Sequence, residues 1–172
     1  MSSSKTITVN ISPYVMIGAL KDNDTKVAMV NVLGDKIPFK IDCFNSVNNL
    51  LFTKEEFETY LLDSGEYDMV ILYCASWSCG AAGNYYKELD KSGIDMSNIY
   101  DYKGALHEWA LYSYSMPNLY LMRKNSDNEI ANQEELLDLI KGTQHSYLLR
   151  DEKKSEDKNV VYLADKGKSI IG

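Results

Sequence analysis

The chain has 172 residues, 45% of them hydrophobic and 25% charged, which suits one ordinary soluble domain with a buried core. The formal net charge of −7 argues against a general nucleic-acid binder, because contacts to phosphates need clustered lysines and arginines. Apolar runs stay far below the roughly 20 residues that span a bilayer. Residues 1–14 also lack the apolar centre of a secretory signal. We therefore expect a cytoplasmic protein with no nucleic-acid and no membrane partner.

Strand-like and helix-like segments alternate along the first two thirds of the chain. Short apolar runs predict strands over residues 5–11, 26–33, 68–74 and 98–102. Capping signals predict helices that start after Ser12, start at a capping box of Thr53 and Glu56, and end at Gly93. Residues 34–45 are predicted to form a loop. The alternation predicts an α/β fold built on a mainly parallel sheet.

The last third of the chain has a different character. Residues 133–142 predict a helix, residues 150–158 form a mixed-charge run typical of a solvated linker, and residues 159–163 predict a short strand. This segment could cover a sheet edge, form a dimer contact or hold a protein partner, and the sequence leaves the three open.

The three cysteines, Cys43, Cys74 and Cys79, are an odd number, so they do not form a disulfide framework of the secreted type. The only histidines, His107 and His145, are widely spaced, so no metal site is expected. We expect no cofactor. In a reducing compartment the cysteines are predicted to be free thiols.

Cys74 stands where thiol chemistry could be supported, directly after the most apolar predicted strand and one turn before a predicted helix. Ligands of parallel sheets bind outside the carboxyl ends of the strands, and a helix N-terminus favours a thiolate. Small residues at Ala75, Ser76, Ser78 and Gly80 would let the backbone approach an anion closely. The alternative is that Cys74 is an inert apolar residue that ends a core strand.

The segment "VILYCASWSCGAAGNYYKELDKSG", followed by "NIYDYKGALHEW", resembles the rhodanese-like domain, as does the upstream segment "AMVNVLGDKIPFKIDCFNSVNN". The resemblance covers roughly residues 12–117. It implies a central, mainly parallel five-stranded sheet with helices on both faces. We therefore expect a rhodanese-like domain over residues 1–117 and a C-terminal extension over residues 118–172.

The resemblance also implies a sulfurtransferase or persulfide carrier, in which Cys74 is catalytic and accepts a sulfane sulfur. The sulfur would come from a small sulfane-sulfur donor and pass to a thiophilic acceptor such as a thiol. The loop amides would point at the thiol and at a bound anion; that anion-binding loop consists of Ala75, Ser76, Trp77, Ser78, Cys79 and Gly80.

The sequence departs from the family pattern in the loop. Cys79 stands at the sixth loop position, where a basic residue is frequent, and no lysine or arginine occurs between Leu72 and Tyr86. A non-catalytic rhodanese-like module that binds an anion or a protein is therefore the alternative function. A cysteine phosphatase is disfavoured because it needs an arginine at the position of Gly80.

Three roles are open for Cys79: a structural residue of the first helical turn, a resolving thiol for an oxidised or persulfurated Cys74, or a second sulfur carrier. A thiol redox protein that uses both cysteines is a weaker third function. Downstream, Asp101 and Lys103 are predicted on the solvated side of the last strand.

Overall fold

The structure, a computed structural model, describes residues 7–42, 49–63, 66–76 and 79–142. Its strands are β1 (Val27–Asn31), β2 (Phe39–Asp42), β3 (Asn49–Thr53), β4 (Met69–Tyr73), β5 (Ile99–Asp101) and β6 (Leu121–Lys124). Its α-helices are α1 (Pro13–Lys21), α2 (Lys54–Asp63), α3 (Ala81–Lys91), α4 (Ala105–Ser115) and α5 (133–142). A short 3₁₀ turn covers Gly34–Lys36.

The helix boundaries follow the capping signals of the sequence. Ser12 accepts a hydrogen bond from the amide of Val15 at the start of α1. Thr53 and Glu56 bond each other's amides at 3.2 and 3.3 Å, which is the predicted capping box. Gly93, with a φ of +82°, lies two residues after the last residue of α3. These three predictions are confirmed.

The main sheet contains β3, β1, β4 and β5 in that order, with every pair parallel. The predicted α/β class with a mainly parallel sheet is confirmed. Five strands were expected, but four are found in this sheet within the described ranges. Beside β5, where a fifth would lie, residues 7–11 of the strand predicted over residues 5–11 form only a bridge between Asn10 and Asp101.

Side chains of the central strands alternate between two separate hydrophobic cores. Val27 and Met29 of β1 point into the first core, whereas Ala28 and Val30 point into the second. The first core also contains residues of α1 and α4, and the second contains residues of α2 and α3. β4 is buried along nearly its whole length between them, as expected for the middle strand of a parallel sheet.

The predicted loop over residues 34–45 is wrong in part, because residues 39–42 form β2. This strand pairs antiparallel with β6, about 80 residues later in the chain. Part of the predicted extension over residues 118–172 therefore packs into the fold. Tyr120 and Met122, together with Leu136 and Ile140 of α5, belong to the first core. The helix predicted over residues 133–142 is confirmed. The predicted linker and terminal strand lie outside the described residues.

Candidate functional site

Cys74 directly follows β4, at the carboxyl edge of the main sheet, as the sequence predicts. Its position is fixed by the start of α4. The amide of Leu106 donates to the carbonyl of Cys74, and the amide of His107 donates to the carbonyl of Ala75, both at 3.1 Å. The first amides of a helix lack partners within the helix. In α4 these amides bond the carbonyls of Cys74 and Ala75, and this holds the chain around Cys74 in place.

The turn that starts α4 is strained, which indicates that this connection is under structural constraint. Ala105 has a φ of +59°, a conformation that non-glycine residues adopt rarely. Strained backbone is enriched at functional sites and persists only where the surroundings enforce it. Here Ala105 is fully buried next to the Cys74 loop.

The Cys74 thiol bonds two carbonyl groups of the loop as well as backbone amides. Its Sγ donates to the carbonyl of Cys79 at 3.4 Å and, more weakly, to that of Ser76 at 3.8 Å. Of the loop amides expected to point at the thiol, that of Cys79 instead donates to the Ser76 carbonyl at 2.9 Å. Trp77 and Ser78 lie outside the described residues.

The pKa of Cys74 is raised above its ordinary value, whereas the helix N-terminus led us to expect a lowered one. The largest cause is a hydrogen bond with the Cys79 side chain, and the second is burial, since only 2% of Cys74 is exposed. The amides of Ala82 and Ser76 act in the opposite direction but are weaker. The raised pKa favours the protonated form of Cys74 at neutral pH.

Both thiols line one cavity of about 170 Å³ between the loop, α3 and the end of β5. Gly80 and Gly83 contribute the helix side of this cavity, and no side chain caps the start of α3 at Gly80. Cys79 is partly buried and Cys74 is buried, so a reagent in the cavity meets Cys79 in the more accessible position.

The opposite wall of the cavity is formed by Asp101, Tyr102 and Lys103. Lys103 Nζ lies 3.0 Å from Asp101 Oδ2, and the Asp101 side chain is only 4% exposed. The same oxygen would be 3.3 Å from a Cβ atom at Gly83. The carboxylate thus occupies the first turn of α3, where an anionic ligand would gain most from the helix dipole.

Asp101 and Lys103 were missed as site residues, because the sequence placed them on a solvated side of the strand. A signal was present in Gly83, since a glycine inside a helix costs about 1 kcal/mol relative to alanine and often marks a close approach. The structure shows what approaches: the buried carboxylate of Asp101. The lysine provides the positive charge that the loop itself lacks, but it is paired.

The predicted loop residues divide between two places. Cys79 and Gly80 line the thiol cavity with Cys74, whereas Ala75 and Ser76 line a separate, largely apolar groove of about 560 Å³. The other walls of that groove are Pro38, Phe39, Glu135, Asp138, Leu139 and Gly142. The described residues of the loop therefore lie between the thiol cavity and the apolar groove.

Within the described ranges, no group of three or more acidic, cysteine or histidine side chains is arranged to hold a metal ion. In the same residues, no helix combines the length and apolar character that a membrane span requires.

Comparison with protein-family models, with curated proteins and with solved structures finds no match for the chain. The resemblance to rhodanese-like domains, which rests on the quoted segments, therefore stays a prediction.

Proposed function

We propose that the protein is a rhodanese-like sulfurtransferase or persulfide carrier that accepts a sulfane sulfur on Cys74 and passes it to a thiophilic acceptor. One observation carries the proposal: the Cys74 Sγ lies 3.4 Å from the carbonyl oxygen of Cys79, and both cysteines line one small cavity at the carboxyl edge of the central strand. Thiol chemistry of this kind needs reduced cysteines, so the proposed location is the cytoplasm.

The size of the cavity supports a small sulfur compound over a larger ligand. Its volume is about 170 Å³, whereas pockets for drug-sized ligands have volumes of roughly 300–1,000 Å³. The terminal sulfur of a persulfide, or a small inorganic sulfur anion, would fit against the two thiols. The backbone amides of Ser76 and Ala82 would then stabilise the negative charge of a persulfide on Cys74.

The proposed reaction has two steps. The Cys74 thiol first loses its proton to solvent, and the thiolate attacks the sulfane sulfur of a donor R–S–S⁻. A bond forms between Sγ and that sulfur, the bond from the sulfur to R–S breaks, and R–S⁻ leaves as the thiolate. An acceptor thiolate then attacks the outer sulfur of the persulfide, and Cys74 is restored. The raised pKa makes the first deprotonation the difficult event at neutral pH.

The buried, protonated state of Cys74 also favours a second candidate, the non-catalytic module. In this alternative, Cys74 and its carbonyl partners only hold the loop between β4 and α3. The neighbouring apolar groove at Ala75 and Ser76 would then be the functional surface. The two candidates differ in whether Cys74 ever carries a sulfur atom.

The test is to treat the reduced protein with a low-molecular-weight persulfide and to measure its intact mass. The proposed function predicts the gain of one sulfur atom in the wild type or, if the adduct is short-lived, in Cys79→Ser. Cys43→Ser is the matched control and should behave as the wild type. Cys74→Ser should gain no sulfur under the same conditions, with its fold checked by circular dichroism. If neither the wild type nor Cys79→Ser gains sulfur, the non-catalytic alternative is favoured.

A further inference from the structure

We infer that Cys79 is the resolving thiol of this site: it attacks a persulfide on Cys74, forms a Cys74–Cys79 disulfide and releases hydrosulfide. The persulfide part of this inference rests on the proposed function. It assigns one of the three roles that the sequence leaves open for Cys79, and it makes the second cysteine the internal reductant that releases the sulfane sulfur.

The geometry of the loop brings the two cysteines together. The Cys79 carbonyl oxygen lies 3.4 Å from Cys74 Sγ. Adding the C=O and Cα–C bond lengths places the Cys79 Cα within about 6 Å of that sulfur. The hydrogen bond from the Cys79 amide to the Ser76 carbonyl keeps Cys79 at this position. Disulfides join cysteines whose Cα atoms are about 4.4–6.8 Å apart, so we expect a local adjustment of the loop to bring the Cys79 sulfur onto that of Cys74.

The surroundings favour this internal reaction over attack by an outside thiol. Cys74 is 2% exposed, so its sulfur is accessible almost only through the small cavity, and Cys79 already lies in that cavity. Cys79 lies beside Cys74 and needs no passage through the cavity. An attached thiol also acts at an effective concentration on the order of mM or higher.

The resolving step needs only the Cys74 persulfide and the Cys79 thiol. Cys79, as its thiolate, attacks the inner sulfur of Cys74–Sγ–S⁻. The Sγ–Sγ bond forms, the bond from Cys74 Sγ to the outer sulfur breaks, and that sulfur leaves with the proton of Cys79 as HS⁻. The sulfane sulfur is reduced by two electrons, and the two cysteine sulfurs are together oxidised by two electrons. A thiol reductant must then reduce the disulfide before the next cycle.

The experiment separates persulfide formation from its resolution. Reduced protein is treated briefly with glutathione persulfide, desalted to remove the donor, and followed over time by intact mass and by a sulfide assay. The variants are Cys79→Ser, Cys74→Ser and the control Cys43→Ser. The wild type and Cys43→Ser should end with a Cys74–Cys79 disulfide, identified in a peptide digest, and release about one equivalent of hydrosulfide. In Cys79→Ser the sulfur adduct should last about tenfold longer or more, because the internal thiol is absent.

The possible outcomes separate the resolving step from the formation of the persulfide. A wild-type adduct that stays on the protein as long as in Cys79→Ser would overturn the inference and leave the proposed function intact. Transfer of the sulfur to Cys79 without release of sulfide would also overturn it, since the attack would then be on the outer sulfur. If no variant gains sulfur and no disulfide forms, the proposed function fails, and the resolving step fails with it.

Discussion

Replacement of Cys79 by alanine should make Cys74 more reactive. The hydrogen bond with the Cys79 side chain is the largest cause of the raised pKa of Cys74, so its removal should lower that pKa. An unperturbed thiol with a pKa of 9.0 is about 1% ionised at pH 7. Every unit by which the pKa rises reduces the reactive thiolate about tenfold. Alkylation of Cys74 at pH 7 should therefore be at least about tenfold slower than that of free cysteine, and about tenfold faster in Cys79→Ala than in the wild type.

The assay is the rate of carbamidomethylation by iodoacetamide, measured on the Cys74 peptide by mass spectrometry between pH 6.5 and 10. Because only the thiolate reacts, a raised pKa predicts a wild-type rate that rises about tenfold per pH unit with no plateau below pH ~9. Cys79→Ser, whose hydroxyl keeps a hydrogen-bonding group, should show a smaller gain than Cys79→Ala. A wild-type plateau below pH ~8, or a Cys79→Ala rate no higher than that of the wild type, would refute the reasoning.

Three further substitutions test other parts of the structure. Asp101→Asn removes the carboxylate from the first turn of α3. The ratio of the rate constant for thiosulfate, a dianionic donor, to that for a monoanionic persulfide should rise about tenfold. This effect is well below the ~4 kcal/mol between unit charges 4 Å apart near a surface. Leu136→Ala, at a 1% exposed position, should lower the free energy of unfolding in urea by about 3 kcal/mol, whereas Leu111→Ala, at a 44% exposed position, should cost less than about 1 kcal/mol. Gly104→Ala would bring a new Cβ to 2.9 Å from the Glu108 Cβ and should cost about 1–3 kcal/mol in the same measurement; equal stability would show that Glu108 can move aside.

Local signals in the sequence were sufficient for much of the fold. The apolar run before Cys74 predicted β4, and the Ser12, Thr53 and Gly93 signals predicted where three helices begin or end. These features depend on residues within a few positions of each other, so the sequence displays them directly. The helix at 133–142 was predicted for the same reason.

Long-range pairing was not predictable in this way. The sequence predicts a loop where β2 lies, because the partner strand β6 is far along the chain and no local pattern connects the two. The burial of Asp101 likewise depends on α3 lying over the end of β5, at a glycine that leaves room for the carboxylate. The pKa of Cys74 was expected to be lowered because the helix N-terminus was visible in the sequence, whereas the carbonyls and the Cys79 thiol around it were not.

The most direct test of the central claim is to locate the sulfur in Cys79→Ala after exposure to a persulfide donor. Removal of the second thiol prevents internal resolution and should increase the ionised fraction of Cys74, so any adduct should accumulate. The account predicts that a peptide digest, alkylated without prior reduction, finds one extra sulfur atom on the Cys74 peptide and none on the Cys43 peptide. An unmodified Cys74 peptide in this variant, with the protein folded and the donor active, would contradict the proposal that Cys74 carries sulfur.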